Sequence, residues 1–138
     1  MIEVGPQDRV LHLGIGDGAT TRELARRAGA GLVLGVDPSQ DAIQLARRLS
    51  VQIENLMFVL GLPEQIPWRE DYFSAVLCSG PVTDWGRAAT EIWRVMIAGG
   101  RAYFPEAPLG SEAALGAAGF EIRRGSVLEA WKPYTRKS

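Results

Sequence analysis

The sequence has 138 residues, of which 46% are apolar, so one domain with a substantial hydrophobic core is expected over residues 1–138. Its 15 basic and 16 acidic residues nearly balance, which argues against the basic surface that a nucleic-acid partner requires. The single cysteine, Cys78, rules out an internal disulfide and a multi-cysteine metal site. No apolar run approaches the length of about 18 residues that a membrane span needs. We therefore expect a cytoplasmic protein without a metal site or a membrane segment.

A strand, a helix and a second strand are predicted first. The runs Arg9 to Leu13 and Leu32 to Val36 are short and apolar, and they end at glycines and at Asp37 with Pro38 respectively. Apolar residues at helical spacing lie between them. This strand–helix–strand order is typical of a parallel sheet with a crossover helix.

The alternation of strands and helices continues to the end of the chain. The later predicted elements are a helix capped by Ser39 or Asp37, strands at 56–60 and 75–78, a helix at 85–97 ended by Gly99 and Gly100, a strand at 101–104, a helix at 111–118, and strands at 120–123 and 127–131. The last residues, KPYTRKS, are expected to be a solvated tail. Such alternation predicts a mostly parallel sheet with helices on both faces.

The segment LHLGIGDGA, at residues 11–19, carries the main indication of function. Gly14 permits a tight turn after the first strand, Gly16 lets a ligand approach the backbone, and Gly18 opens a helix whose free amides favour polar or anionic groups. Asp37 follows the second strand at the spacing of an acidic side chain that binds ribose hydroxyls. The alternative interpretations are plain turn glycines and N-capping by Asp37.

Three blocks, VLHLGIGDG, GVDPS and RVMIAGGRAYF, resemble the class I S-adenosylmethionine (SAM) methyltransferases, especially the small-molecule type of ubiquinone and menaquinone biosynthesis. The resemblance covers nearly the whole chain. It implies a Rossmann-like three-layer α/β sandwich with a mostly parallel seven-stranded sheet, in the order 3-2-1-4-5-7-6 with strand 7 antiparallel. It also implies SAM as the cofactor and a small-molecule methyl acceptor.

The resemblance further implies where the cofactor lies. The residues expected to contact it are, from the methionine end to the adenine end, Gly14, Gly16 and Gly18, then Asp37 and Pro38, then Leu62 and Pro63 with Glu64 nearby, while Cys78 and Ser79 lie near the methyl group. Trp85 is the candidate for contact with the acceptor. Because methyl transfer is a direct displacement, the protein mainly aligns the acceptor, and a hydroxyl acceptor would add a base, for which His12, Asp84 and Glu106 are candidates.

The sequence departs from the family pattern in several places. His12 and Ser74 stand where the family usually has acidic residues, and Leu62 stands where it often has an acidic residue that contacts adenine. Only eight residues precede Arg9, where the family commonly has helices that close the pocket. We therefore expect an open pocket, covered by a second subunit or another protein. His12 has a structural interpretation as a hydrogen-bonded residue beneath the glycine loop, and Cys78 has one as a core residue.

Three functions remain in competition. The leading one is a SAM-dependent methyltransferase for a small molecule. The second is a non-catalytic SAM-fold binding or regulatory subunit that needs a partner. The third is an NAD-binding oxidoreductase, since Gly14, Gly16 and Ala19 also satisfy the dinucleotide-binding spacing and Asp37 suits NAD.

Overall fold

The computed structural model describes residues 2–134 and shows a three-layer α/β architecture. In chain order its elements are β1 (Arg9–Leu13), α1 (Ala19–Ala28), β2 (Leu32–Asp37), α2 (Gln40–Leu49), β3 (Leu56–Leu60), β4 (Phe73–Cys78), α3 (Trp85–Val95), β5 (Met96–Phe104), α4 (Ser111–Ala118), β6 (Glu121–Arg124) and β7 (Leu128–Trp131). The sheet order is β3-β2-β1-β4-β5-β7-β6, and β7 is antiparallel to both neighbours. The predicted fold class and strand order are confirmed. Within the described range no helix is long and apolar enough to cross a membrane.

The central strands are covered on both faces, which explains why they are apolar throughout. In β4, Val76 and Cys78 belong to the core beneath α3 and α4, whereas Ala75 and Leu77 pack with α1 on the opposite face. Side chains of a strand alternate between faces, so a strand with helices on both sides needs apolar residues at every position. β1 and β4 therefore lie at the centre, with their carboxyl ends at one edge of the sheet.

The junction of α3 and β5 differs from the prediction. The helix ends at Val95, and β5 already begins at Met96 and contains Gly99 and Gly100, which were expected to end the helix. Its pairing with β4 is irregular, because Phe73 pairs with Met96 whereas Ala75 pairs with Arg101. The extra residues form a bulge, and Gly99, at φ +86°, donates its amide to Lys132 at 2.7 Å. The glycines thus serve the bulge and its contact with the end of β7.

The side chain of Lys132 is buried, although the segment KPYTRKS was expected to be a solvated tail. Its Nζ donates to the carbonyl oxygens of Trp93 at 2.8 Å and of Met96 at 2.7 Å. The Trp93 carbonyl also accepts from the Met96 amide at the end of α3, and a cation there complements the helix dipole. The tail prediction is wrong at Lys132, and residues 135–138 lie outside the described part of the chain.

Candidate functional site

The loop between β1 and α1 packs directly on the loop after β4. Gly14 has φ +83°, and a Cβ atom built there would lie 2.3 Å from the amide nitrogen of Gly80. The amide of Ser79 donates to the carbonyl of Leu13 at 2.8 Å, which fixes the same contact. Gly14 is therefore required for the joining of the two loops, and a side chain has no room there.

Gly16 and Gly18 differ in what surrounds them. A Cβ at Gly16, which has φ +60°, would meet no atom within 4 Å, so this part of the loop borders open space that a ligand can occupy. A Cβ at Gly18 would lie 3.1 Å from Cβ of Ala46, so Gly18 lets α1 pack closely on α2. Asp17, which the sequence analysis did not single out, accepts a hydrogen bond from the amide of Ala19 at 3.0 Å. Its exposed carboxylate places negative charge beside the helix start, where a cationic ligand group fits.

Asp37 is positioned at the carboxyl end of β2 by two backbone amides. Its Oδ2 accepts from Ile15 at 3.0 Å, and its Oδ1 accepts from Ser39 at 2.9 Å. The residue that caps α2 is Ser39, whose hydroxyl accepts from the amide of Ala42 at 3.1 Å, so N-capping does not explain Asp37. Each carboxylate oxygen retains a second lone pair, which leaves Asp37 able to accept from ribose hydroxyls.

The loop after β3 is tied to the loop after β4 by Glu64. Its Oε2 accepts from the amide of Thr83 at 2.9 Å, from the Thr83 hydroxyl at 3.1 Å and from the amide of Asp84 at 3.1 Å. Partial burial opposes ionisation, but the hydrogen bonds from Asp84 and Thr83 outweigh it and hold the pKa of Glu64 below its usual value. Nearby, Leu62 is 44% exposed and offers an apolar surface at the position expected for adenine.

Replacing Glu64 with glutamine is expected to loosen this connection, because a neutral amide is a weaker acceptor than a carboxylate. We expect the free energy of unfolding to fall by about 1 kcal/mol and the amides of Thr83 and Asp84 to exchange faster with deuterium. Urea unfolding and amide exchange measure the two effects. Glu54→Gln, at an exposed carboxylate, is the matched control. Unchanged amide exchange at Thr83 and Asp84 in the Glu64 variant would show that these hydrogen bonds do not hold the two loops together.

His12 lies beneath the glycine loop and is only 2% exposed. Its Nδ1 is 2.8 Å from the Thr21 hydroxyl, and its Nε2 is 3.2 Å from the Ser79 hydroxyl. Burial lowers the pKa of His12 to about 4, although the negative charge of Asp37 acts in the opposite direction. The imidazole is therefore neutral at pH 7 and connects β1 to α1 and to the end of β4.

Asp84, Cys78 and Trp85 are engaged in structural contacts, whereas the candidate base Glu106 is exposed in the loop after β5. Asp84 is the N-cap of α3, with Oδ1 accepting from the amide of Arg87 at 3.1 Å. Burial raises the pKa of the Cys78 thiol to about 12, and the charge of Glu64 adds to this shift, so Cys78 remains a core thiol. The ring of Trp85 packs 5.8 Å from that of Phe104, on the face of the sheet covered by α3.

Ser74 lies far from the carboxyl edge of the sheet, because it is the second residue of β4. Its hydroxyl donates to Asp8 at 2.7 Å, and Arg101 donates to the other Asp8 oxygen at 3.1 Å. Asp8 thus supplies a carboxylate at this end of the strand. The departure from the family at Ser74 therefore affects the amino-terminal end of β4 and not the glycine loop.

A cavity of about 360 Å³ lies beside Ser79, on the face of the sheet opposite to Trp85. Its walls include Thr20 of α1, Leu77 of β4 and Tyr103 of β5. No local sequence pattern indicates these residues, because positions on neighbouring strands become a pocket only once strand order and register are known. The described residues therefore form two adjoining regions, one around Gly16 and Asp37 and one around Ser79.

Comparisons with known proteins point to one family. The sequence model of the methyltransferase domain family matches residues 10–100. YrhH, a Bacillus subtilis protein named as a methyltransferase, is 31% identical over 106 residues, which cover 74% of this chain and 59% of YrhH. The uncharacterized methyltransferase YcgJ of Bacillus subtilis is 29% identical over 117 residues, covering 78% of this chain and 46% of YcgJ. The chain thus spans about half the length of these relatives.

Solved structures share the fold at low identity. A methyltransferase of Haloferax volcanii, determined in complex with a methyltransferase activator, superposes with TM-score 0.86 at 18% identity, covering 99% of this chain and 87% of that chain. A SAM-dependent methyltransferase of Aquifex aeolicus superposes with TM-score 0.78 at 15% identity, covering 93% of this chain and 82% of that one.

Proposed function

We propose that this chain, which belongs to the class I SAM-dependent methyltransferase family, binds SAM at the glycine loop and transfers a methyl group to a small-molecule acceptor. The observation that carries the proposal is the pairing of open space at Gly16 with the fixed carboxylate of Asp37. The family membership favours this function over the NAD-dependent alternative.

The residues present suit the parts of the cofactor. Gly16 admits the methionine portion, Asp37 accepts from the ribose hydroxyls, and Leu62 offers an exposed apolar surface to the adenine. Gly14 and Gly18 shape the loop by packing, and Pro38 and Pro63 adjoin the contact residues along the chain. When bound, SAM supplies an electrophilic methyl group on a sulfonium.

The chain's own residues contribute position and shielding in this mechanism. Ser79 lies at the carboxyl end of β4, held by its amide to Leu13 and by its hydroxyl to His12. Neutral His12 adds no positive charge beside the cationic cofactor, and Cys78, as a buried thiol, adds an apolar floor. The rate enhancement would then come from alignment of the acceptor with the methyl group, without a catalytic dyad.

Calorimetric titration with S-adenosylhomocysteine tests the proposal, with NAD as the parallel ligand. We expect micromolar binding of S-adenosylhomocysteine that weakens at least about thirtyfold in Asp37→Ala, because two charge-assisted hydrogen bonds are lost. Asp41→Ala, which removes an exposed carboxylate from the first turn of α2, is the matched control and should bind like the wild type. Binding of NAD alone would overturn the assignment.

We further propose that a partner covers the open side of the pocket, either a second copy of the chain or another protein. The exposed apolar side chains of Leu60 and Leu62, beside the expected adenine position, support this. The Haloferax volcanii methyltransferase was solved with an activator protein, and a protein partner of this chain could cover the pocket in a similar way. The proposed compartment is the cytoplasm, in keeping with a single buried thiol.

The second candidate function is a non-catalytic SAM-fold subunit. It is favoured by the engagement of Asp84 as a helix cap and of His12 as a buried neutral residue, which leaves the exposed Glu106 as the remaining candidate base. Tight binding of S-adenosylhomocysteine without methyl transfer to any acceptor in a screen would support this alternative. Turnover on any small molecule would exclude it.

A further inference from the structure

The cavity beside Ser79 lies on the side of the sheet where α1 packs, at the carboxyl ends of β4 and β5. Leu77 and Tyr103 belong to the core cluster shared with α1, whereas Ala102 and Phe104 point to the opposite face. Tyr103 pairs with Glu129 across β5 and β7, so their side chains share this face and both line the cavity. At about 360 Å³ the cavity falls at the lower end of the range for small-molecule sites.

The cavity adjoins the methionine end of the proposed cofactor site. Thr20 lies in the first turn of α1, two residues after Gly18, and Ser79 contacts the strand that leads into Gly14. The ribose and adenine positions, at Asp37 and Leu62, lie in the opposite direction along the sheet, towards β2 and β3. A molecule in the cavity would therefore meet the cofactor at the end that carries the methyl group.

The chemistry of the walls is selective. The apolar walls are Ile2, Leu77, Pro105 and Val127, and hydroxyl groups come from Thr20, Ser79, Tyr103 and Ser126. Among the described residues that line the cavity, the only charged side chain is the carboxylate of Glu129. A bound anion would face this carboxylate without a lining cation to neutralise it, whereas a protonated nitrogen would gain a charge-assisted hydrogen bond.

Glu129 is available for such a contact. Its Oε1 accepts from Arg123 at 3.1 Å, and the Arg123 guanidinium itself lies 5.3 Å above the ring of Trp131. The Arg123 side chain is 70% exposed, so this ion pair is solvated and weak, and Oε2 of Glu129 makes no hydrogen bond to a described residue. The carboxylate therefore keeps one oxygen for a ligand.

We propose that this cavity, and not the surface around Trp85, is the acceptor site, and that it takes a small, largely apolar molecule carrying a basic nitrogen, which Glu129 binds. That the cavity is an acceptor site rests on the proposed methyltransferase function. The recognition itself depends only on the walls of the cavity and can be measured without turnover.

Three probes that share a phenylethyl group test the recognition: 2-phenylethylamine, 2-phenylethanol and 3-phenylpropanoate. Affinities are measured by NMR titration of the backbone amides, with and without saturating S-adenosylhomocysteine. We expect the amine to bind at least about tenfold more tightly than the carboxylate, with shifts at Tyr103 and Glu129. The alcohol should bind with intermediate affinity.

Three variants identify the carboxylate responsible. Glu129→Gln should weaken the amine about tenfold and leave the alcohol unchanged. Glu121→Gln, which removes an exposed carboxylate from neighbouring β6, is the matched control and should change neither. Arg123→Gln frees Glu129 from its ion pair and should tighten the amine.

The outcomes separate the two proposals. Equal binding of amine and carboxylate, an unchanged amine affinity in Glu129→Gln, or shifts centred on Trp85 would each overturn the acceptor assignment. Absence of S-adenosylhomocysteine binding in the same samples would overturn the proposed function, while selective amine binding would still establish the cavity as a site for basic nitrogen. Selective binding together with S-adenosylhomocysteine binding supports both.

Discussion

Replacing Gly14 with alanine is expected to lower the free energy of unfolding by about 3 to 5 kcal/mol, which is a large part of the stability of a domain of this size. The new methyl group would lie 2.3 Å from the backbone nitrogen of Gly80 and 2.4 Å from its Cα. These are backbone atoms, so the clash cannot be relieved by a side-chain rotation. The residue also has φ +83°, which costs a further 1 to 2 kcal/mol, roughly, for a residue with a Cβ.

Gly16→Ala is the matched control for this prediction. Gly16 also has a positive φ, +60°, but its added methyl would meet no atom within 4 Å. We expect a loss of only about 1 kcal/mol in stability together with at least about tenfold weaker binding of S-adenosylhomocysteine, because the methyl would stand where the ligand approaches. Urea unfolding of the three proteins gives the comparison. If the Gly14 variant does not fold, circular dichroism of the two variants provides it.

Equal stability of the two variants would show that the loop after β4 is not held against Gly14. In that case the shared contact between the loops could not position Ser79 beside the glycine loop. The pair of variants thus separates a packing role for Gly14 from a ligand-facing role for Gly16. From the sequence, Gly14 is expected to form a tight turn and Gly16 to admit a ligand, and the atoms around the two residues differ in the same sense.

Much of the fold is predictable from the sequence, because it depends on local patterns. The apolar runs at β1, β2 and β3, the N-cap of α2 and the helical spacing of α1 are all local, and the strand runs locate their strands within a residue or two. The resemblance to the methyltransferase family supplied the strand order. By contrast, the bulge at Gly99 depends on pairing with Lys132, a contact between strands distant in sequence, and no local pattern indicates it.

The candidate site is predictable only in part for the same reason. The motif locates Gly16 and Asp37, since each follows a recognisable strand end. The partners of His12 are Thr21 and Ser79, and that of Ser74 is Asp8, and none of these contacts is visible in composition or spacing. The cavity at Glu129 arises from the register of β5 on β7, which only the folded sheet defines.

The stability of the protein is expected to fall by about 2 kcal/mol between pH 7 and pH 5 because of His12 alone. In the folded protein burial lowers the pKa of His12 to about 4, from an ordinary value of 6.5. Between these two values the unfolded chain binds a proton that the folded protein excludes, so stability rises with pH there. The contribution is complete above pH 6.5 and is lost as the pH falls towards 4.

The change in stability between pH 5 and pH 7 can be assigned to a single residue, because His12 is the only histidine in the chain. Carboxylates with lowered pKa, such as Glu64 and Glu91, lose their contribution only below their usual value of 4.5, so the interval from pH 5 to pH 7 isolates the imidazole. Urea unfolding across this interval should show the slope in the wild type and a flat profile in His12→Gln, whose stability at pH 7 is also lower because the contacts to Thr21 and Ser79 change.

The imidazole NMR signals of the folded protein provide an independent measurement. If they titrate near pH 4, His12 is neutral at physiological pH, and its role is to hold Thr21 and Ser79 at the edges of the two regions of the site. If they titrate above pH 6, the buried position does not exclude the proton, and the predicted slope should vanish with it. His12 would then again be a candidate base for a hydroxyl acceptor, because an imidazole that titrates near neutrality can take up a proton during the reaction.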